Sequence, residues 1–110
     1  MKHEVQEATE GLVVALDGDV DLQSSPDARR VLLDAVDQGK PVFVDLSRVS
    51  YIDSSGVASL VESLQRARKG GTPFALVAVS DPALRVLRLA RLDKVFAVHA
   101  NLEDALSNEP

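Results

Sequence analysis

Apolar residues arrive in short blocks, and their spacing alternates between strand-like and helix-like along the chain. The first block is Leu12-Val-Val-Ala-Leu16, a strand candidate that the polar triplet Asp17-Gly18-Asp19 is expected to end. A turn over Glu7 to Gly11 separates it from another short strand before it, and the two can form an antiparallel hairpin. Ala28, Val31, Leu32, Ala35 and Val36 then fall on one face of a helix. Ser25-Pro26 supplies an N-cap followed by proline at the first helical position, and Gly39 stops the helix. Pro41 to Leu46, with Val42-Phe43-Val44 at its centre, is a continuous apolar run suited to a buried strand.

A second helix is predicted from Ser54, with Val57, Leu60, Val61 and Leu64 inward and Glu62, Gln65, Arg66 and Lys69 outward. Gly70-Gly71 ends it. Phe74 to Val79 is a further continuous strand. Ser80 and Pro82 open a third helix whose face carries Val86, Leu87 and Ala90. Val95 to Val98 is a last strand, and Asn101 with Asp104 has the form of a capping-box start for a helix through Leu106. The order β-β-α-β-α-β-α-β-α implies parallel crossovers and an α/β layer fold in one domain over residues 1–110.

In such crossovers the loops leaving the strands' carboxyl ends gather on one rim. Here those loops are Asp17 to Ser25, Asp53 to Gly56 (reached from Leu46 through a connector) and Ser80-Asp81, so the rim is acidic and rich in hydroxyls. Asp19, Asp21, Ser24 and Ser80 therefore join Asp53, Ser54, Ser55 and Gly56 as candidates.

Composition narrows the chemistry. Hydrophobic residues make up 45% of the chain but aromatic ones only 4%, so the core must be aliphatic and there are few platforms for stacking bases. The formal net charge of −5 gives no general attraction for nucleic acid or an anionic membrane. With no cysteine, thiol catalysis, disulfides and zinc–thiolate sites are excluded. No apolar run is long enough for a membrane span, and the polar start shows no signal peptide, so a cytoplasmic location is expected.

Asp17, Asp19 and Asp21 are spaced like the start of a calcium loop, but the sixth and twelfth places hold Leu22 and Ala28 instead of glycine and glutamate. Turn formation and solubility account for these acids, and no metal site or cofactor is expected. Ser54 superficially resembles a nucleophile elbow, yet Ile52 stands where the leading glycine belongs. The only histidines are His3, in an expected frayed terminus, and His99, after the last strand. Arg85, Arg88 and Arg91 form a basic stripe on the third helix, either a solvated face or a docking surface for an acidic partner.

The serines have two readings. Asp53 or Ser54 caps the second helix, with Gly56 allowing close approach of the chain. A helix N-terminus also favours negative charge, so a serine there can take a phosphate without wrecking the helix.

"VDLSRVSYIDSSG", Val44 to Gly56, resembles the signature of the STAS family, and in particular its single-domain bacterial anti-sigma factor antagonists. Gly18-Asp19-Val20-Asp21 is similar to an early family element, and "KGGTPFALVAVSDPALRVLRLARLDKVF" to its glycine turn, strand and third helix. The resemblance implies a mixed sheet of four to five strands with about four helices. It implies a non-enzymatic protein whose unphosphorylated form binds an anti-sigma factor and frees a sigma factor. The anti-sigma factor of that family is typically also a serine kinase, and a separate phosphatase reverses its action. The phosphoacceptor would be Ser54, with Ser55 the second choice. Asp53, Ser55 and Gly56 would shape the acceptor loop, and Asp21 and Ser24 would line the same contact surface. STAS domains also serve as subunits of bacterial lipid-transport ABC complexes. That is the alternative, and the intact Asp-Ser-Ser-Gly favours the regulatory class.

Overall fold

A computed structural model describes residues 1–8 and 10–108. Five strands, β1 (Lys2–Ala8), β2 (Gly11–Val20), β3 (Val42–Ile52), β4 (Phe74–Val77) and β5 (Ala97–His99), form one sheet in sequence order. β1 and β2 are an antiparallel hairpin, and β2 to β5 are parallel. The helices are α1 (Ser25–Val36), α2 (Ser54–Gly70), α3 (Asp81–Leu89) and α4 (Leu102–Asn108). The element order is the one predicted, in the mixed α/β class predicted.

The two faces of the sheet are covered unequally. Leu12, Val14, Leu16, Val42, Val44, Leu46, Phe74 and Leu76 meet α1, α2 and α3 in one core that is aliphatic apart from Phe74 and Phe96. On the other face Phe43, Ala75 and Val77 pack against Ala105, Leu102 and Leu106 of α4. β3 is therefore buried on both faces in its first half, which explains its uninterrupted Val42-Phe43-Val44.

Several boundaries differ from the sequence reading, each for a local reason. Ala8 pairs with Gly11, so β1 and β2 extend into the turn predicted over Glu7 to Gly11; Thr9 of that turn lies outside the described residues. His3 is not in a frayed terminus but pairs with Leu16. Asp17-Gly18-Asp19 does not end β2, because Gly18, at φ +98°, lets the strand continue through an irregularity to Val20.

β3 likewise runs on past Leu46 to Ile52, with no connector. While β2 advances from Ala15 to Asp17, β3 advances from Asp45 to Arg48; while β2 advances from Gly18 to Asp19, β3 advances from Val49 to Tyr51. Each bulge adds a residue to β3, so Leu46, Val49 and Ile52 all face the core although they stand three apart.

The α1 cap position is Ser24, with Ser25 inside the helix. Val61 is only partly buried in α2, whereas Ser59, Ser63 and Ala67 are buried. β4 stops at Val77 because Ala78 takes φ +51°. On α3, Ala83 and Leu87 are buried while Ala90 is exposed and lies just beyond the helix. Arg91, at φ +59°, has left the helix, so the basic stripe is confined to Arg85 and Arg88. β5 begins two residues later than predicted and ends on His99. The Asn101 cap of α4 forms as predicted, its Oδ1 accepting from the Asp104 N–H at 2.8 Å.

Candidate functional site

α2 begins where β3 ends, and Asp53 makes the junction. It sits at the N-cap in an extended conformation (φ −107°, ψ −173°). Its Oδ1 accepts from the Ser55 N–H (2.9 Å), the Gly56 N–H (3.1 Å) and the Ser55 hydroxyl (2.6 Å). Its Oδ2 accepts from the Leu22 N–H at 3.1 Å, on the loop after β2. The Asp53 N–H in turn donates to the Val20 carbonyl at 3.2 Å. One carboxylate thus caps α2 and fixes the neighbouring loop. These donors, the Ser55 hydroxyl first and the Gly56 N–H next, hold its carboxyl below the usual value of 3.8.

Gly56 explains why the two loops can lie so close. A Cβ there would stand 2.6 Å from the Val20 carbonyl oxygen, so only glycine lets α2 start against the end of β2.

The β2–α1 loop is knotted by a second acid. Asp21 Oδ1 accepts from the N–H groups of Gln23 and Ser24, both at 3.1 Å. Ser24 Oγ accepts from the Asp21 N–H at 2.9 Å, and its one proton is shared between the Asp19 carbonyl at 2.8 Å and Asp21 Oδ1 at 3.1 Å. The Ser24 N–H and hydroxyl lower the Asp21 carboxyl below 3.8, while the charge of Asp53 works in the opposite direction. Asp19 Oδ1 accepts from the Ser50 hydroxyl at 2.8 Å. Asp19, Asp21, Ser24, Asp53, Ser54, Ser55 and Gly56 therefore occupy one end of the β2–β3 pair.

Ser80 stands apart. Its hydroxyl donates to the Val49 carbonyl at 2.6 Å and accepts from the Ala83 N–H at 3.3 Å. Because β3 outruns β4, Ser54 lies five residues beyond Val49, roughly 15 Å along an extended chain. Ser80 is a cap for α3 and a clamp on β3, set back from the acceptor loop.

The two serines differ. Ser54 is exposed and its hydroxyl has no hydrogen-bond partner among the described residues. Ser55 is half-buried and its hydroxyl is engaged by Asp53. A shared depression beside Ser55, lined by Ser25, Arg29, Ser59 and Glu62, joins α2 to α1. There Arg29 grips Glu62 through two bonds of 2.9 and 2.6 Å, which lower the Glu62 carboxyl and raise the Arg29 guanidinium. A separate depression of about 470 Å³ lies on the sheet face between β1 and β3 and includes none of these residues.

Sequence reasoning missed Leu22 and Tyr51, which are 75% and 51% exposed beside the site. For Leu22 the signal was an apolar residue alone in the polar stretch "DLQSS"; Tyr51, beside Ile52 in "VSYID", had no such signal. Among the described residues no group of acids and histidines is arranged to hold a metal ion, and no helix is long and apolar enough to cross a membrane.

A mixed five-stranded sheet with four helices in this order is the fold of the STAS domain, whose family-wide sequence pattern matches residues 2–105. The chain belongs to that family. Within it, the chain is 26% identical over 100 residues to the anti-sigma-B factor antagonist of Bacillus subtilis (strain 168), covering 91% of this chain and 92% of that protein. The crystal structure of an anti-sigma factor antagonist from Mycobacterium paratuberculosis superposes with a TM-score of 0.87 at 28% identity, over 96% of this chain and 91% of that one. The unphosphorylated form of the anti-sigma factor antagonist SpoIIAA has the same fold, with a TM-score of 0.79 at 20% identity over 96% and 94% of the two chains.

Proposed function

We propose that this protein is an anti-sigma factor antagonist whose binding is switched off by phosphorylation of Ser54. The observation that carries the choice of residue is the contrast between the two serines: the Ser54 hydroxyl is exposed and has no partner among the described residues, whereas Ser55 donates to Asp53 at 2.6 Å. The relatives named as antagonists support the role. In its unphosphorylated form the chain docks its acidic rim on an anti-sigma factor, which then releases a sigma factor.

The anti-sigma factor acts as a serine kinase in this scheme. The Ser54 oxygen attacks the γ-phosphorus of ATP held by that partner, the bond to the β–γ bridging oxygen breaks, and ADP leaves. The hydroxyl proton passes to a base of the kinase. The product carries nearly two negative charges beside Asp53, and the complex separates. A phosphatase that hydrolyses the phosphoserine restores the antagonist.

The test combines mass spectrometry with binding. The chain is incubated with the purified anti-sigma factor and Mg-ATP, and the phosphate is mapped. Modification is expected at Ser54, with Ser54→Asp losing the anti-sigma factor and Ser54→Ala retaining it. Phosphate on neither serine, together with full binding by Ser54→Asp, would overturn the proposal. Melting curves of both variants are expected to match wild type, because Ser54 lends no side-chain bond to α2.

A further inference from the structure

We infer that Tyr51 and Leu22 are the apolar anchors of this rim, and that they fit a protein surface with two apolar sockets ringed by lysine or arginine. The inference rests on the antagonist reading above and says where its binding energy lies. Both side chains are exposed, and both belong to backbone that is already held. Leu22 is fixed by its N–H bond to Asp53, and Tyr51 by its ladder position opposite Asp19. Holding the backbone in advance lowers the ordering cost of binding. Tyr51 lies two residues before Asp53, and Leu22 bonds to Asp53 directly, so the anchors approach the acceptor loop from β3 and from the β2–α1 loop.

Charge supplies the identity of the occupant. Asp19 pairs with Tyr51, Asp21 precedes Leu22 and Asp53 bonds to it, whereas Arg29 and Arg48 are engaged by Glu62 and Asp17, and Arg30 by Asp27 and Asp34. The rim therefore presents net negative charge around apolar side chains, which suits a basic-rimmed apolar patch on a protein. Interfaces of that type place their energy in buried aromatic and aliphatic anchors and use the charged rim for steering. A phosphate on Ser54 would enter the water-excluded ground beside these anchors, where desolvating a doubly charged group is costly. Leu89 is 80% exposed as well, but it sits near the end of α3, away from this rim, and serves as a control.

The test uses the purified anti-sigma factor as the probe, with association and dissociation followed by surface plasmon resonance. Tyr51→Ala and Leu22→Ala are each expected to weaken binding by about tenfold or more, chiefly through faster dissociation. Leu89→Ala is expected to stay within about twofold of wild type, as for a residue outside the interface. Tyr51→Thr, which keeps a strand-favouring residue, guards against a folding defect and should repeat the loss. Wild-type binding with all three rim variants within twofold would overturn the inference while leaving the antagonist reading intact. A wild-type chain that does not bind the anti-sigma factor would sink both.

Discussion

The close approach of α2 to β2 can be measured with one methyl group placed at two positions. Gly56→Ala would set a Cβ 2.6 Å from the Val20 carbonyl oxygen, 2.7 Å from Ile52 Cγ1 and 2.9 Å from Val20 Cγ1. None of these atoms can retreat freely. The carbonyl already accepts from the Asp53 N–H at 3.2 Å, and Val20 and Ile52 are each 1% exposed in the core. Overpacking of this kind costs about 1–3 kcal/mol, and three contacts under 3.0 Å, one of them to backbone, put Gly56→Ala at the upper end. The better helix propensity of alanine offsets up to about 1 kcal/mol of that, leaving a net loss of about 2 kcal/mol. For a chain of this size the loss corresponds to a melting temperature lower by roughly 5–10 °C. Gly70, the last residue of α2, gives the opposite case: no atom lies within 4 Å of a Cβ built there. Gly70→Ala should therefore raise stability by up to about 1 kcal/mol. Thermal and urea melts of both variants at neutral pH decide the matter. A Gly56→Ala protein as stable as wild type, or two variants moving in the same direction, would refute the packing argument.

Two further substitutions test the hydrogen bonding around α2. The donors to Asp53 hold its carboxyl below 3.8, so the stability it contributes is complete above its unfolded value and is lost as pH falls through the lower folded value. Asp53→Asn should accordingly differ from wild type by a constant amount above about pH 5, and the difference should shrink below about pH 4. Urea midpoints across that range measure it, and a gap unchanged down to pH 3 would contradict the assignment. Ser63 is 0% exposed, yet its hydroxyl donates only to the Ser59 carbonyl of its own helix at 2.8 Å. Ser63→Ala should change stability by no more than about 0.5 kcal/mol. A loss above about 1.5 kcal/mol in urea unfolding would show that the hydroxyl matters more than a local back-bond.

How far the sequence is readable varies with the regularity of each element. α1 and α2 were readable because their apolar residues keep a helical period over several turns, and Gly39 and Gly71 mark their ends, both at positive φ. The second half of β3 was not, because its two bulges turn Leu46, Val49 and Ile52 inward at a spacing of three, which is neither the strand's two nor a sustained helical pattern. The same bulges exist only by reference to β2, so no local pattern could reveal them. Gly18 misled for a related reason: glycine marks turns and strand irregularities alike, and only the partner strand tells them apart. At the site, Asp-Ser-Ser-Gly was evident as a cap beside a close approach. What it left open was the division of labour between the serines, which depends on where Asp53 points.

Asp53 also constrains what a charge at Ser54 could do. A bare helix N-terminus would draw a phosphate onto its own N–H groups. Here the Ser55 and Gly56 N–H groups already donate to Asp53, and the Val57 N–H donates to the Asp53 carbonyl at 3.0 Å. A phosphate on Ser54 would have to displace the cap, which would also release Leu22 from Oδ2, or remain in solvent with its charge pointing outward. The second course keeps four hydrogen bonds to one carboxylate intact. It leaves the sheet and the helix start unchanged while adding nearly two charges to a surface already acidic. The cap that orders Ser54 is thus what would make its phosphorylation a change of surface charge and not of fold.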